Sequence, residues 1–229
     1  MGAAHALTIE RCPACTTVSS NGKISSVDLQ ALTAIKNSLT DVPSRGATAF
    51  FSTWDFAAPD PCSTFSGVTC TSGRVTTLTL GTGLSDSPGL AGSLPPSLAD
   101  LTELTQLILL PGIVTGPIPF QLGRLANVRV ISLTNNRLTG PIPQTLSLLS
   151  NLHTLDLSYN RLTGSIPPGL TRLPALKVLI LASNSLSGEL PHNVSSQLLH
   201  LDLKRNKLTG PLPPSLPTTL RYLSFSENE

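Results

Sequence analysis

Seven times this sequence places an L-x-L-type pair three residues ahead of Asn or Gly: Leu78/Leu80/Gly83, Leu107/Leu109/Gly112, Ile131/Leu133/Asn136, Leu155/Leu157/Asn160, Leu179/Leu181/Asn184, Leu201/Leu203/Asn206 and Leu223/Phe225/Asn228. The steps between the closing residues are 29, 24, 24, 24, 22 and 22. A period this regular constrains the chain to a solenoid, because one such unit can bury its apolar face only against the next. The paired leucines are expected to point inward from short strands that stack into a parallel sheet. The Asn turns the chain away, and its amide can satisfy backbone groups of the neighbouring coil where a hydrocarbon could not. Gly83 and Gly112 hold that position in the first two coils, where a weaker ladder is expected. An L-x-G-x-(I/L)-P stretch follows six of the pairs, as in Gly164-Ser165-Ile166-Pro167. Gly permits a turn there, and Pro sets an extended segment unsuited to a central strand. The remainder of each unit, such as residues 144–149, reads as a short helical turn on the outer face.

The repeats divide the chain into an extended leader over residues 1–25, a cap over 26–73 and an array over 74–229. Residues 26–39 read as a helix with Leu29, Leu32, Ile35 and Leu39 on one face. Ser25 or Ser26 can cap its first N–H groups, and Asp28 suits its positive end. Phe50, Phe51, Trp54, Phe56 and Phe65 are expected to plug the open end of the solenoid, which would otherwise expose an apolar cross-section. All four cysteines, Cys12, Cys15, Cys62 and Cys70, precede the repeats; an even count confined to the cap points to two disulfides and an oxidising compartment. Three pairings are possible, and Cys12–Cys15 with Cys62–Cys70 is preferred because both are local. A zinc or redox role fits the spacing poorly. Ala4-His5-Ala6 has the small-x-small form of a signal-peptidase site or is a chance run, and the end at Asn228-Glu229, in mid-repeat, reads as a piece of a longer protein. Five extra residues fall within 81–92, where a solenoid would carry them as a loop. No apolar run is long enough to span a bilayer.

Residues 152–170 match the plant-specific leucine-rich repeat, L-x-x-L-x-L-x-x-N-x-L-x-G-x-I-P-x-x-L, almost letter for letter. Asp28 through Leu32 and Trp54 through Cys70 resemble the cap of plant receptor-like kinases, receptor-like proteins and polygalacturonase inhibitors, with Phe65 where that family usually has Trp and a single Cys62 where it often has two. The resemblance implies an α/β fold, a right-handed leucine-rich-repeat solenoid with a concave parallel sheet and a disulfide-stapled N-terminal cap. It implies secretion to the apoplast or cell surface and recognition of a protein or peptide ligand, with a co-receptor as a further partner. Other functions open to the same scaffold are inhibition of a microbial cell-wall hydrolase and a structural role in the wall.

Strand alternation allows the outward face to be written down. Gln106, Ile108, Leu110, Val130, Ser132, Asp156, Val178, Ile180 and Asp202 are expected on the concave surface, with Gln106, Asp156 and Asp202 as a polar rim. The apolar members either form a ligand groove or are β-branched residues suited to strands. Arg137, Arg161 and Lys207 follow the ladder Asn and are expected along one edge, where an acidic polysaccharide could lie or where they are simply solvated; Ser185 interrupts them. Asn193-Val194-Ser195 is a glycosylation sequon. The 15 basic and 13 acidic residues give no general pull toward nucleic acid. His200, Asp202 and Ser224 share the outward face, but their spacing does not make a triad, so no catalytic, cofactor or metal site is expected.

Overall fold

The computed structural model of the chain describes residues 23–42, 49–58, 60–82 and 89–229. Cys12, Cys15, Ala4-His5-Ala6 and Gly83 lie outside the described residues, as does most of the leader. In chain order the cap comprises helix α1 (Ser26–Ser38), strand β1 (Leu39–Asp41), a 3₁₀ turn at Phe50–Thr53, the one-turn helix α2 (Pro61–Thr64) and strand β2 (Val68–Thr71). The array runs through β3 (Arg74–Leu80), β4 (Leu90–Gly92), β5 (Gln106–Leu109), β6 (Thr115–Pro117), β7 (Val130–Ser132) and β8 (Arg137–Pro141). It continues through β9 (Thr154–Asp156), β10 (Arg161–Gly164), β11 (Val178–Ile180), β12 (Ser185–Glu189), β13 (His200–Asp202), β14 (Lys207–Thr209) and β15 (Tyr222–Ser224).

The inner sheet has eight strands in the order β15-β13-β11-β9-β7-β5-β3-β2. All neighbours are parallel except β2, which closes the cap end as an antiparallel hairpin partner of β3. Register is strict: Leu107 pairs Ile131, Ile131 pairs Leu155, Leu155 pairs Leu179 and Leu179 pairs Leu201. All five side chains are fully buried. Truncating one such leucine to alanine costs about 2–5 kcal/mol in a close-packed interior. On the outer side lie 3₁₀ turns, including Gln144–Leu148 where the sequence pointed to a helical turn.

The Asn column makes the hydrogen bonds the sequence implied. Asn160 Oδ1 accepts from the Leu138 N–H one coil earlier (3.0 Å), while its Nδ2 donates to the Leu133, Leu157 and Ser158 carbonyls. Asn184, Asn206 and Asn228 accept from the Leu162, Leu186 and Leu208 N–H groups in the same way. The second coil departs for a steric reason. A Cβ at Gly112 would stand 2.8 Å from the Leu90 carbonyl oxygen and 3.0 Å from the Leu90 nitrogen, so no side chain fits there; the Ile113 N–H donates to the Leu90 carbonyl just as the Arg137 N–H donates to Val114 in the next coil.

Two features of the backbone go beyond the repeat pattern. From the second coil on, the segment ahead of the motif Pro forms a second parallel sheet, β14-β12-β10-β8-β6, in which Pro117 and Pro141 are the last strand residues, while in the first coil β4 pairs antiparallel with β1 of the cap. A proline at a strand end forfeits no interior ladder bond. Also, the residue before each ladder Asn takes the left-handed conformation without being glycine: Asn135, Tyr159, Ser183, Arg205 and Glu227 have φ of 53–58°.

In the cap, Trp54 is 1% exposed, stacks on Phe65 at 5.0 Å between ring centroids and meets Phe51 edge-on at 5.0 Å. Its indole N–H donates to the Ser66 carbonyl, so the buried polar atom is satisfied. The Cys62–Cys70 disulfide is formed. Closing so short a loop contributes about 2.5 kcal/mol in the chain-entropy treatment. The Ser25 side chain makes no capping hydrogen bond. Asp28 sits in the first turn of α1 but is 0% exposed, and its carboxylate accepts the Val75 N–H at 2.7 Å and pairs with Arg74 at 3.1 Å. Its partners are at the start of the array, so this residue ties cap to solenoid. The hydrogen bond that Arg74 donates to Asp28, and the charge of that carboxylate, hold the guanidinium above its ordinary pKa despite opposing desolvation.

Candidate functional site

The outward residues of the inner sheet stand in columns because the strands are in register. One column runs Thr77, Gln106, Val130, Thr154, Val178, His200, Tyr222, and the next runs Thr79, Ile108, Ser132, Asp156, Ile180, Asp202, Ser224. Gln106 is exposed, while Ile108, Leu110, Val130, Ser132, Asp156, Val178 and Ile180 are half-buried. The apolar members are thus neither core nor isolated: they alternate with polar neighbours on a fixed surface.

Asp202 does not behave as a rim residue. It is 6% exposed, its carboxylate lies 3.5 Å from Lys204 Nζ, and Oδ1 accepts the Lys204 N–H. Asp156 is spent partly on its own strand end, accepting from the Ser158 N–H and hydroxyl at 2.9 and 2.6 Å. Ser158 also bonds the Thr134 hydroxyl, which buries it, and Ala182 beside it is buried too. This third outward column is therefore a closed seam over coils three to five. His200 stacks face to face on Tyr222 at 4.2 Å, and Asp202 pairs with Lys204, so two of the three outward residues His200, Asp202 and Ser224 have other partners.

Arg137, Arg161 and Lys207 are exposed at the first residue of β8, β10 and β14. Among the described residues none of them makes an ion pair. Asn193 is exposed on the outer face, where Pro168, Arg172, Pro191 and His192 line a shallow depression with it. Its backbone carbonyl accepts the Thr171 hydroxyl, leaving the side-chain amide outward.

A leucine-rich-repeat N-terminal domain matches residues 25–71, and leucine-rich-repeat models match residues 126–186 and 197–218. The ectodomain of the receptor kinase SOBIR1 from Arabidopsis thaliana is 32% identical, the match covering 84% of this chain and 100% of that one with a TM-score of 0.66. The chain belongs to the leucine-rich-repeat family. Within that family its likeness is to plant receptor kinase ectodomains. A chain in the PEPR1–AtPEP1 crystal structure is 30% identical over 88% of this chain, with a TM-score of 0.71. The Arabidopsis receptor kinase HAESA, in complex with the peptide hormone IDA and the co-receptor SERK1, is 27% identical over 90% of this chain, with a TM-score of 0.61. This leucine-rich-repeat chain spans about a third of the length of PEPR1 and 38% of HAESA, but the whole of the SOBIR1 ectodomain. No curated protein matches it. Among the described residues no helix is long and apolar enough to cross a membrane.

Proposed function

We propose that this chain is the ligand-recognition part of an extracellular plant receptor-like protein, and that a peptide or protein ligand docks on the concave sheet with a co-receptor as second partner. The observation that carries the reading is the half-buried row Ile108, Val130, Val178 and Ile180, held outward by a register that needs no rearrangement on binding. A preformed surface limits the ordering cost of association. The likeness to HAESA, seen with a peptide hormone and a co-receptor, supports it. Chemistry at this face is no part of the proposal.

The test is a double substitution, Ile108→Ser with Ile180→Asn. Peptides selected from a display library against the wild-type chain should lose at least tenfold in affinity, since each residue forfeits about 1 kcal/mol or more of apolar burial. Undiminished binding by a folded double variant would remove the concave face from consideration.

The exposed Asn193 amide is the proposed attachment point of an N-linked glycan. Protein expressed in plant cells should carry one glycan mass that Asn193→Gln lacks; intact masses that differ only by the single methylene of the substitution would refute the assignment.

A further inference from the structure

The edge of the inner sheet where the strands begin carries a second line of basic residues. Arg129, Lys177 and Arg221 each stand one residue ahead of an outward strand position, with His153 and Leu199 on the coils between. Their order along the solenoid is set by backbone hydrogen bonds: the His153 N–H donates to the Arg129 carbonyl, Lys177 to His153, Leu199 to Lys177 and Arg221 to Leu199, all at 2.8 Å. Arg129, Lys177 and Arg221 are exposed and, among the described residues, have no ion-pair partner. They belong to a stretch that is basic as a whole: residues 124–229 hold ten Lys and Arg against five Asp and Glu, while residues 1–123 hold five against eight. The near-neutral total conceals this separation.

We infer that this edge docks an acidic peptide segment lying across coils three to seven in an extended polyproline-type conformation. Successive coils of a parallel sheet are about 4.8 Å apart, so cations on alternate coils recur at roughly 9.6 Å. A polyproline helix rises about 3.1 Å per residue and returns to the same face every third residue, at roughly 9.3 Å. Carboxylates spaced three residues apart on such a segment meet Arg129, Lys177 and Arg221 in turn. A flat β-strand would put the third residue on its opposite face. The residue after each cation is apolar or aromatic and faces outward beside it: Val130, Val178 and Tyr222, the last 41% exposed and backed by His200. Charge next to apolar surface at every second coil suits the side chains of a peptide better than an acidic glycan, which has no alkyl groups to bury. The inference deepens the reading of the chain as a recognition module by naming the chemistry of a partner.

The probe is a fluorescein-labelled peptide of five Glu-Pro-Pro repeats, titrated into the wild-type chain at about 50 mM and about 300 mM salt. Binding should weaken at least tenfold at the higher salt, where screening is strong. Arg129→Gln with Lys177→Gln and Arg221→Gln should lose at least tenfold at low salt. Arg137→Gln with Arg161→Gln and Lys207→Gln removes the same charge from the opposite edge and should lose less than threefold. Circular dichroism confirms that both remain folded, and the salt response of the wild-type chain stands independently of either variant. Equal losses in the two variants would overturn the inference, as would salt-insensitive affinity, equal binding of a Gln-Pro-Pro peptide or the absence of binding. Displacement of the probe by oligogalacturonate at lower concentration than by unlabelled peptide would also overturn it, by making the edge a polysaccharide site. None of these outcomes touches the Ile108/Ile180 test, so the two readings fail separately.

Discussion

Replacing Asn160 with alanine is expected to destabilise the chain by about 3 kcal/mol, although the substitution removes no apolar contact and creates no large cavity. The loss comes from two backbone groups. The Leu138 N–H loses Oδ1, and the Leu133 carbonyl loses the amide donor at 2.8 Å. The other two carbonyls are better protected, since the Leu157 oxygen also accepts from Asn184 and the Ser158 oxygen from the Asn135 N–H. A buried backbone group left without a partner costs about 1–3 kcal/mol. Because each coil touches only its neighbours, the damage should be local at first. Hydrogen exchange should rise in coils three and four before the cap loses protection, and the urea midpoint should fall. A shift worth under about 1 kcal/mol would show that water or backbone movement satisfies these groups, and the ladder would then be a consequence of stacking and not a contributor to it.

Asp28→Ala is the second large effect, at about 3–4 kcal/mol. The carboxylate is sealed from solvent, accepts the Val75 N–H and pairs with Arg74. Removing one partner of such a pair leaves the other uncompensated, which costs about 3–5 kcal/mol when both are buried. Arg74 keeps about a third of its side chain in water, so the low end applies. Asp28→Asn retains an acceptor for the Val75 N–H and should recover roughly half the loss. Both changes should uncouple the cap from the array, visible as earlier proteolysis within α1 and β3 during a thermal ramp. If Asp28→Ala melts with the wild type, the cap is held by its aromatic plug alone and the carboxylate adds nothing net.

These two residues show why some features were legible in the sequence and others were not. Asn160 recurs as Asn136, Asn184, Asn206 and Asn228, and repetition at fixed spacing announces a role that every coil shares. Asp28 occurs once, on a helix whose end it could equally well stabilise by charge, and its partners lie 46 and 47 residues away. Nothing local distinguishes the two uses. The candidate site divides the same way. Alternation placed Ile108, Val130, Val178 and Ile180 on the outward face. It also placed Asp202 there, where Lys204 closes over it. Side-chain reach across strands is a property of the assembled sheet, and a period of two cannot express it.

By itself the sequence determined the solenoid, the inward leucines, the Asn ladder and the plug of aromatic rings. Each is a contact between elements that are neighbours in the chain or in the next repeat, so spacing suffices to encode it. Only the tertiary structure decided the Cys62–Cys70 pairing, the second sheet, the glycine forced on position 112 by Leu90, the Asp28 tether and the burial of Asp202. These depend on how closely distant backbones approach and on which charges find a partner when they do. Such distances are set by the packing of the whole array and are written in no single repeat.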